Sequence, residues 1–298
     1  MNLPRQFNYP SKISSLILSY DSNSGSLFFM QFDANSSTLL SREIRKICVQ
    51  LSFRRSTAHL GSALSTVDII SVLYTMNLNF ENHSSKDIKD IFLLSKGHAA
   101  LALYATLYKK GIISEDELFS YALEDSIYEE HPNHKIPTVP FPTGSLGHGL
   151  SLAAGIALGK KLNGELGKVF ILMSDGECNE GTVWEASQFI HSKKLSNITV
   201  LVDHNKFQAT GSTDETLGSI SLREVFRSFG WNSIEINGHS HKAINYAVEA
   251  SSGVDQPTAI ICNTIKGKGI SFMENNNNWH YRSPNETELS LAMKELYQ

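Results

Sequence analysis

Cysteine is scarce in this 298-residue chain, and its three copies, Cys48, Cys178 and Cys262, are widely scattered. An odd set so spaced gives neither a disulfide framework nor a Cys-x-x-Cys zinc pattern, so the expected setting is a reducing cytoplasm. Long apolar runs are also missing: no stretch is apolar enough for long enough to cross a bilayer. The N-terminus lacks the combined basic start, continuous apolar centre and small-residue cleavage site of a secretory signal. Nor is there an excess of positive charge. Lys and Arg number 26 against 30 Asp and Glu, a formal net charge of −4, with a pI near 6.3. That balance argues against nucleic acid or an anionic membrane as the main partner. The 11 histidines show no recognised zinc-ligand spacing. What is present is 41% hydrophobic and 19% charged, enough to bury a sizeable core in one large α/β domain, with or without an appendage.

The first 37 residues are rich in Ser and Asn. Two β-prone runs, Ser15–Tyr20 and Ser26–Phe32, flank Asp21-Ser22-Asn23-Ser24-Gly25. A hairpin and a disordered extension are both open readings of this segment. Residues 38–298 read as the folded domain. Leu40, Ile44, Ile47 and Leu51 recur at helical spacing after Thr38, and a second helical pattern starts at Ser65. Apolar strands at Asp90–Leu94, Lys168–Met173, Ile198–Val202, Trp231–Ile236 and Thr258–Asn263 then alternate with helical patterns. Such alternation predicts an α/β fold, a parallel sheet with helices on both faces. The stretch Glu129–Thr143 holds four of the eight prolines and is expected to be an extended loop across the sheet edge. The pattern after it, Leu150–Leu162, carries Ala and Gly on successive turns. Small residues there serve either tight packing within the domain or a contact between subunits.

The most informative unit runs from Ser174-Asp175-Gly176 to Asp203-His204-Asn205. Two apolar strands, Val169–Met173 and Ile198–Val202, each end in oxygen-bearing side chains and are joined by a helical crossover. A right-handed β-α-β connection puts both strand ends on one edge of the sheet. Asp175 and Asn205 can then reach a single hard cation from adjacent strands. A carboxylate and an amide oxygen suit Mg2+ or Ca2+, which share their ligands with phosphates. The glycine-rich stretch at Gly144 follows prolines instead of a strand, which removes the context of a nicotinamide site.

These residues, with four further segments in order, resemble the thiamine diphosphate enzymes of the transketolase family. The segments are Ser56-Thr57-Ala58-His59-Leu60-Gly61, Leu94-Ser95-Lys96-Gly97-His98-Ala99, Thr143-Gly144-Ser145-Leu146-Gly147-His148-Gly149, and Lys266-Gly267-Lys268-Gly269 with His280. The resemblance covers roughly Leu39 to the C-terminus and implies the thiamine diphosphate-binding fold. It makes Asp175, Asn205 and the backbone carbonyl of Phe207 the ligands of Mg2+, with Ca2+ or Mn2+ as substitutes. It places His98, Gly144, Ser145, Leu146, Gly176, Glu177, Asn205 and His280 on the cofactor, and His59, His131 and His280 on the substrate. His59, His280 and Glu180 are the implied catalytic set, Glu180 also being the acid that reaches toward a partner. The chain departs from the family pattern at Ser174, where glycine is usual, and at Lys206, where a small residue is common. His83, His191, His239 and His241 are expected to be ordinary surface or structural histidines.

Thiamine diphosphate also needs a carboxylate at its pyrimidine ring, which the family supplies from a separate domain. The matched segments run out at Gln298 before that domain. The resemblance therefore implies the N-terminal subunit of a split transketolase, working with a separate C-terminal subunit that carries the pyrimidine-binding domain, as an α2β2 heterotetramer acting on sugar phosphates. Two alternatives stand beside it: acyl or glycolaldehyde transfer to a carrier or from a 2-oxo acid, and a non-catalytic scaffold subunit.

Overall fold

The computed structural model describes residues 16–21, 26–31, 34–78, 90–218 and 220–298. It contains two units, residues 1–33 and 34–298. In the first, β1 (Leu16–Asp21) pairs with β2 (Ser26–Gln31) in an antiparallel hairpin, from Leu16 opposite Gln31 to Asp21 opposite Ser26. The connecting residues 22–25, like His83, lie outside the described residues.

The second unit begins with α1 (Ala34–Arg55), four residues earlier than the helical pattern read from Thr38. The helix absorbs the hydroxyls of this polar run: Ser37 Oγ and Thr38 Oγ1 both donate to the Ala34 carbonyl, at 3.2 and 2.6 Å. The next helix, α2 (Leu60–Val72), also starts earlier than expected, directly after His59. All its residues are buried, so no amphipathic period marks its first turn.

Five strands follow: β3 (Ile91–Leu94), β4 (Val169–Ser174), β5 (Ile198–His204), β6 (Asn232–Asn237) and β7 (Thr258–Asn263). They form one parallel sheet in the order β3-β4-β5-β7-β6. The helices between them are α3 (Ala100–Lys109), α4 (Glu115–Phe119), α5 (His148–Asn163), α6 (Gly181–Ser192), α7 (Thr213–Leu217), α8 (Leu222–Ser228) and α9 (His241–Ala250). The last element is α10 (Glu286–Leu296). Every residue of β4 is buried, as a central strand of a parallel sheet requires.

Successive strand residues face opposite sides. One side, with Leu93, Ile171, Val200 and Ile261, packs against α5, α6 and α8 through Leu150, Val183, Ile190 and Phe226. On the other, the Phe92 ring meets Tyr74, just beyond α2, with centroids 5.6 Å apart. The sheet is thus covered on both faces. Helix α5 lies close to the end of β3, since a Cβ added at Gly149 would collide with Ser95 Oγ. The proline-rich stretch from Glu129 to Thr143 is loop throughout, and Thr143 Oγ1 ties it to the Leu94 carbonyl at 2.5 Å. Among the described residues no helix is long and apolar enough to cross a membrane.

Candidate active site

Parallel strands deliver their C-terminal ends to one edge, the usual place for a site in such sheets. Here β3 runs into Lys96 and His98, β4 into Asp175, β5 into Asn205, and β7 into Thr264 and Lys266. Asp203 lies at the centre, fully buried at the end of β5. Its carboxylate accepts from Lys96 Nζ and Thr264 Oγ1, from Ser65 Oγ at 2.6 Å, and from Asn205 Nδ2 at 3.0 Å. Burial works to raise the Asp203 carboxyl, but the Lys96 ammonium and the Ser65 and Thr264 hydroxyls outweigh it and hold the group below its ordinary range.

Four histidines converge from four separate segments. The His59 ring centroid is 5.5 Å from His98, 5.9 Å from His131 and 5.2 Å from His280. His98 and His280 are 5.9 Å apart. His59 stands directly before α2 with φ of 65°, a left-handed backbone uncommon outside glycine. Its N–H donates to the His280 carbonyl at 2.7 Å, so the two loops lock each other. Burial, then the neighbouring Lys96 charge, hold the His98 imidazolium well below the usual range. His280 is pushed down to about 3 by burial and then by Lys266. His131 is lowered by burial and then by His59. His98, His131 and His280 are therefore neutral rings near pH 7, each able to donate at one nitrogen and accept at the other.

Beside them sits Lys266, whose ammonium is fully buried. It approaches His280 Nδ1 at 3.0 Å and donates to Asn277 Oδ1 at 2.6 Å and the Gln208 carbonyl at 3.4 Å. These partners are neutral. Burial, followed by the Lys96 charge, lowers Lys266 to about 8, which leaves it mostly charged at neutral pH.

Asp175 supplies the complementary charge. Its Oδ2 accepts from the Lys206 N–H at 2.7 Å and Thr213 Oγ1 at 3.3 Å, and its Oδ1 from the Gly176 N–H at 2.8 Å. Burial, and then the charge of Asp203, push this carboxyl up to about 6. A buried carboxylate raised in this way is complemented by a cation. Asn205 Oδ1 accepts from the Phe207 N–H at 3.0 Å, so the amide oxygen lies on the Phe207 side. Asp175, Asn205, Lys206, Phe207 and Thr264 line a cavity of 570 Å3. Hard oxygen donors around a charge-deficient cavity fit a divalent ion with phosphate oxygens. Among the described residues no cluster of three His, Cys, Asp or Glu groups is arranged to hold a metal.

The remaining expected residues fall on the same edge in different postures. Gly144, Ser145 and Leu146 form the turn before α5, and a Cβ at Gly144 would collide with the His131 ring at 2.5 Å. Gly176 lies under Gln208, whose Cγ would be 3.1 Å from a Cβ there. Glu180 is exposed at the start of α6 and makes no side-chain cap. Glu177 is turned into the protein and fully buried. Its Oε1 accepts from Ser95 Oγ at 2.5 Å and the Gly147 N–H at 2.9 Å, so it braces the glycine turn from within. Ser174 is accommodated: it ends β4 in strand conformation and its Oγ accepts from the Glu177 N–H at 3.2 Å. Lys206 is exposed with φ of 68°. His239 and His241 serve structure, both holding the buried Asp68 carboxylate at 2.7 and 3.1 Å.

Fold and strand-end chemistry together define a thiamine diphosphate-binding domain, and comparison with known proteins gives its lineage. Residues 36–297 match the family described as transketolase, thiamine diphosphate binding domain. The chain belongs to the transketolase family of transferases. It is 34% identical over 263 residues to an apulose-4-phosphate transketolase subunit of Phocaeicola vulgatus, covering 87% of this chain and 92% of that one. It is 32% identical to a 6-deoxy-6-sulfo-D-fructose transketolase subunit of a Clostridium species, covering 85% and 93%. A solved transketolase from Campylobacter jejuni superposes with a TM-score of 0.79 at 26% identity, over 88% of this chain and 42% of that one.

Sequence reasoning passed over Lys96, Asp203, Ser65 and Thr264, the buried set beneath the site. The available signal was a lysine and an aspartate at apolar strand ends, where an unpaired charge is not tolerated. Replacing Lys96 with Met should lower stability by about 3–5 kcal/mol, because it strands the Asp203 carboxylate in the interior. Adding Asp203→Asn should recover part of that loss, as urea unfolding of the single and double variants would measure.

Proposed function

We propose that this chain is the diphosphate-binding half of a ketol transferase assembled from two kinds of subunit. The enzyme moves a two-carbon ketol unit from a ketose phosphate to an aldose acceptor. The observation that carries this reading is the meeting of His59, His98, His131 and His280, all within 5.9 Å of His59 or of each other's rings, beside the buried Lys266 ammonium. Sugar hydroxyls need partners that donate and accept without bringing charge, and neutral imidazoles do both. A carrier-bound or 2-oxo acid donor makes less use of such a cluster.

Thiamine diphosphate, when bound, supplies the carbanion chemistry that cleaves the ketose carbon–carbon bond. The residues of this chain hold and orient it. Asp175, Asn205 and the Phe207 carbonyl would hold Mg2+, or Ca2+ or Mn2+ in its place. Lys266, His98 and the backbone at Gly176 would receive the diphosphate, and Gly144, Ser145 and Leu146 would lie against the pyrimidine side. His59 moves the proton of the donor hydroxyl, with His131 and His280 holding the sugar.

A partner subunit completes the site by supplying the pyrimidine-ring carboxylate, and Glu180 reaches toward it. The relatives named as subunits support this assembly. So does the outer face of α5, where nothing lies within 4 Å of a Cβ at Gly155 or Gly159 and Leu162 is 76% exposed. An obligate contact of this kind buries roughly 2,000 Å2 or more, and an α2β2 complex is the expected form. The working compartment is the cytoplasm.

Asp175→Ala should abolish Mg2+-dependent binding of thiamine diphosphate by the assembled complex, and Asn205→Ala should weaken it strongly, by calorimetric titration; unchanged affinity in Asp175→Ala would refute the metal assignment. In the same complex, His59→Ala and His280→Ala should each cost ~100- to 10,000-fold in turnover while leaving thermal unfolding near that of the parent. The isolated chain, assayed with thiamine diphosphate, Mg2+ and a range of ketose phosphates, should be inactive until the partner is added. Robust turnover by the chain alone would overturn the two-subunit reading.

A further inference from the structure

Glu130 stands at the end of the loop that brings His131 into the cluster, and its side chain is turned toward His59. Its Oε2 lies 3.5 Å from His59 Nδ1 and accepts the Ala58 N–H at 3.2 Å. The carboxylate is thus anchored to the backbone just before the histidine it faces. His59 Nδ1 is itself buried and makes no hydrogen bond. The His59 backbone is fixed on both sides, its N–H held by the His280 carbonyl at 2.7 Å and its own carbonyl accepting from the Ala63 N–H at 3.0 Å. The other groups facing the ring are His98, His131, His280 and Tyr281, with Lys96, Lys266 and Glu129 behind them. Of all these, Glu130 alone places a carboxylate within ion-pair distance of Nδ1.

We propose that Glu130 is a positioning residue for His59, accepting Nδ1–H and so leaving Nε2 free to take a proton from the substrate. The pair is a carboxylate–imidazole dyad whose contact shortens when the ring becomes charged, as hydrogen bonds in unliganded sites commonly do. In the step it serves, Nε2 takes the hydroxyl proton of the donor sugar and the ring becomes an imidazolium, with Nδ1–H still directed at Glu130. The same proton is then returned to the acceptor's carbonyl oxygen as that oxygen becomes a hydroxyl. Glu130 stays ionised throughout, and no proton is gained or lost. Consistent with this, His59 acts most strongly, against the opposing effect of burial, to hold the Glu130 carboxyl below its usual range. Sequence pattern did not reveal the pair, because the two residues lie at the ends of unrelated loops, far apart in the chain.

The catalytic step rests on the ketol-transfer reading, whereas the pairing itself does not, so two measurements separate them. In the isolated full-length chain, 15N spectra of histidine-labelled protein, with His59 assigned by loss of its signals in His59→Asn, should show the Nδ1-protonated tautomer. Glu130→Leu should convert it to a mixture of tautomers. In the complex with its partner subunit, Glu130→Gln should lower kcat/KM about 10-fold and Glu130→Leu about 100-fold. Because a carboxylate favours the protonated ring, the acid limb of the kcat/KM profile should move to lower pH in Glu130→Gln, and Glu130→Asp should restore part of the rate. A His59 tautomer unchanged in Glu130→Leu, or an acid limb that stays in place in Glu130→Gln, would overturn the proposal. A parent complex without ketol transfer would count against the functional reading, while the spectra would still decide the pairing.

Discussion

The buried pair of Lys96 and Asp203 is the constraint on which the active edge depends. Both side chains are fully buried, so neither charge has water to fall back on, and each is tolerable only because the other is there. Around this pair are gathered the ends of β3, β5 and β7 together with α2, through Lys96, Asp203, Thr264 and Ser65. The same carboxylate orients Asn205 by accepting from its Nδ2, which turns the amide oxygen to the opposite side, where it accepts from the Phe207 N–H. A structural salt bridge therefore sets the direction of a residue that faces the cavity. Moving the end of β5 would break hydrogen bonds to β3, β7 and α2 together, since all three meet at the Asp203 carboxylate.

Charge is distributed over this edge with a consistent sense. Asp175 is raised by burial and by Asp203, whereas Lys266 is lowered by burial and by Lys96. A cation beside the carboxylate and an anion beside the ammonium would each oppose these shifts. The proposed divalent ion with its diphosphate would answer both charges at once. The adjoining imidazoles of His98, His131 and His280 are kept neutral by the same burial and positive surroundings. In the proposed reaction substrate hydroxyls would meet these uncharged rings, and His59, the one of the four cluster histidines at ion-pair distance from a carboxylate, would carry the proton transfer.

Much of this was legible in the sequence because it follows from strand ends. Apolar runs stopping at Asp175 and at Asp203-His204-Asn205 fix the edge, and parallel pairing of β4 with β5 brings them side by side. The four histidines were legible only through their family-like loops, since no periodicity links His59 to His280. The boundaries of α1 and α2 were not legible. The first turn of α1 consists of polar residues that bond to its own carbonyls, and α2 is buried all round, so neither carries an amphipathic signal. The inward turn of Glu177, the Lys96–Asp203 pair and the approach of Glu130 to His59 all depend on contacts between residues distant in sequence. Residue type alone cannot give them.

The central claim is that Asp175, Asn205 and Phe207 hold a divalent ion against a diphosphate at the edge where the four histidines meet. The most direct measurement is the crystal structure of the assembled complex with thiamine diphosphate and Mn2+, located by its anomalous scattering. The account predicts one strong peak coordinated by the Asp175 carboxylate, Asn205 Oδ1 and the Phe207 carbonyl, with the diphosphate beside Lys266 and His98. A peak on other residues, or cofactor bound with no metal between it and Asp175, would contradict it.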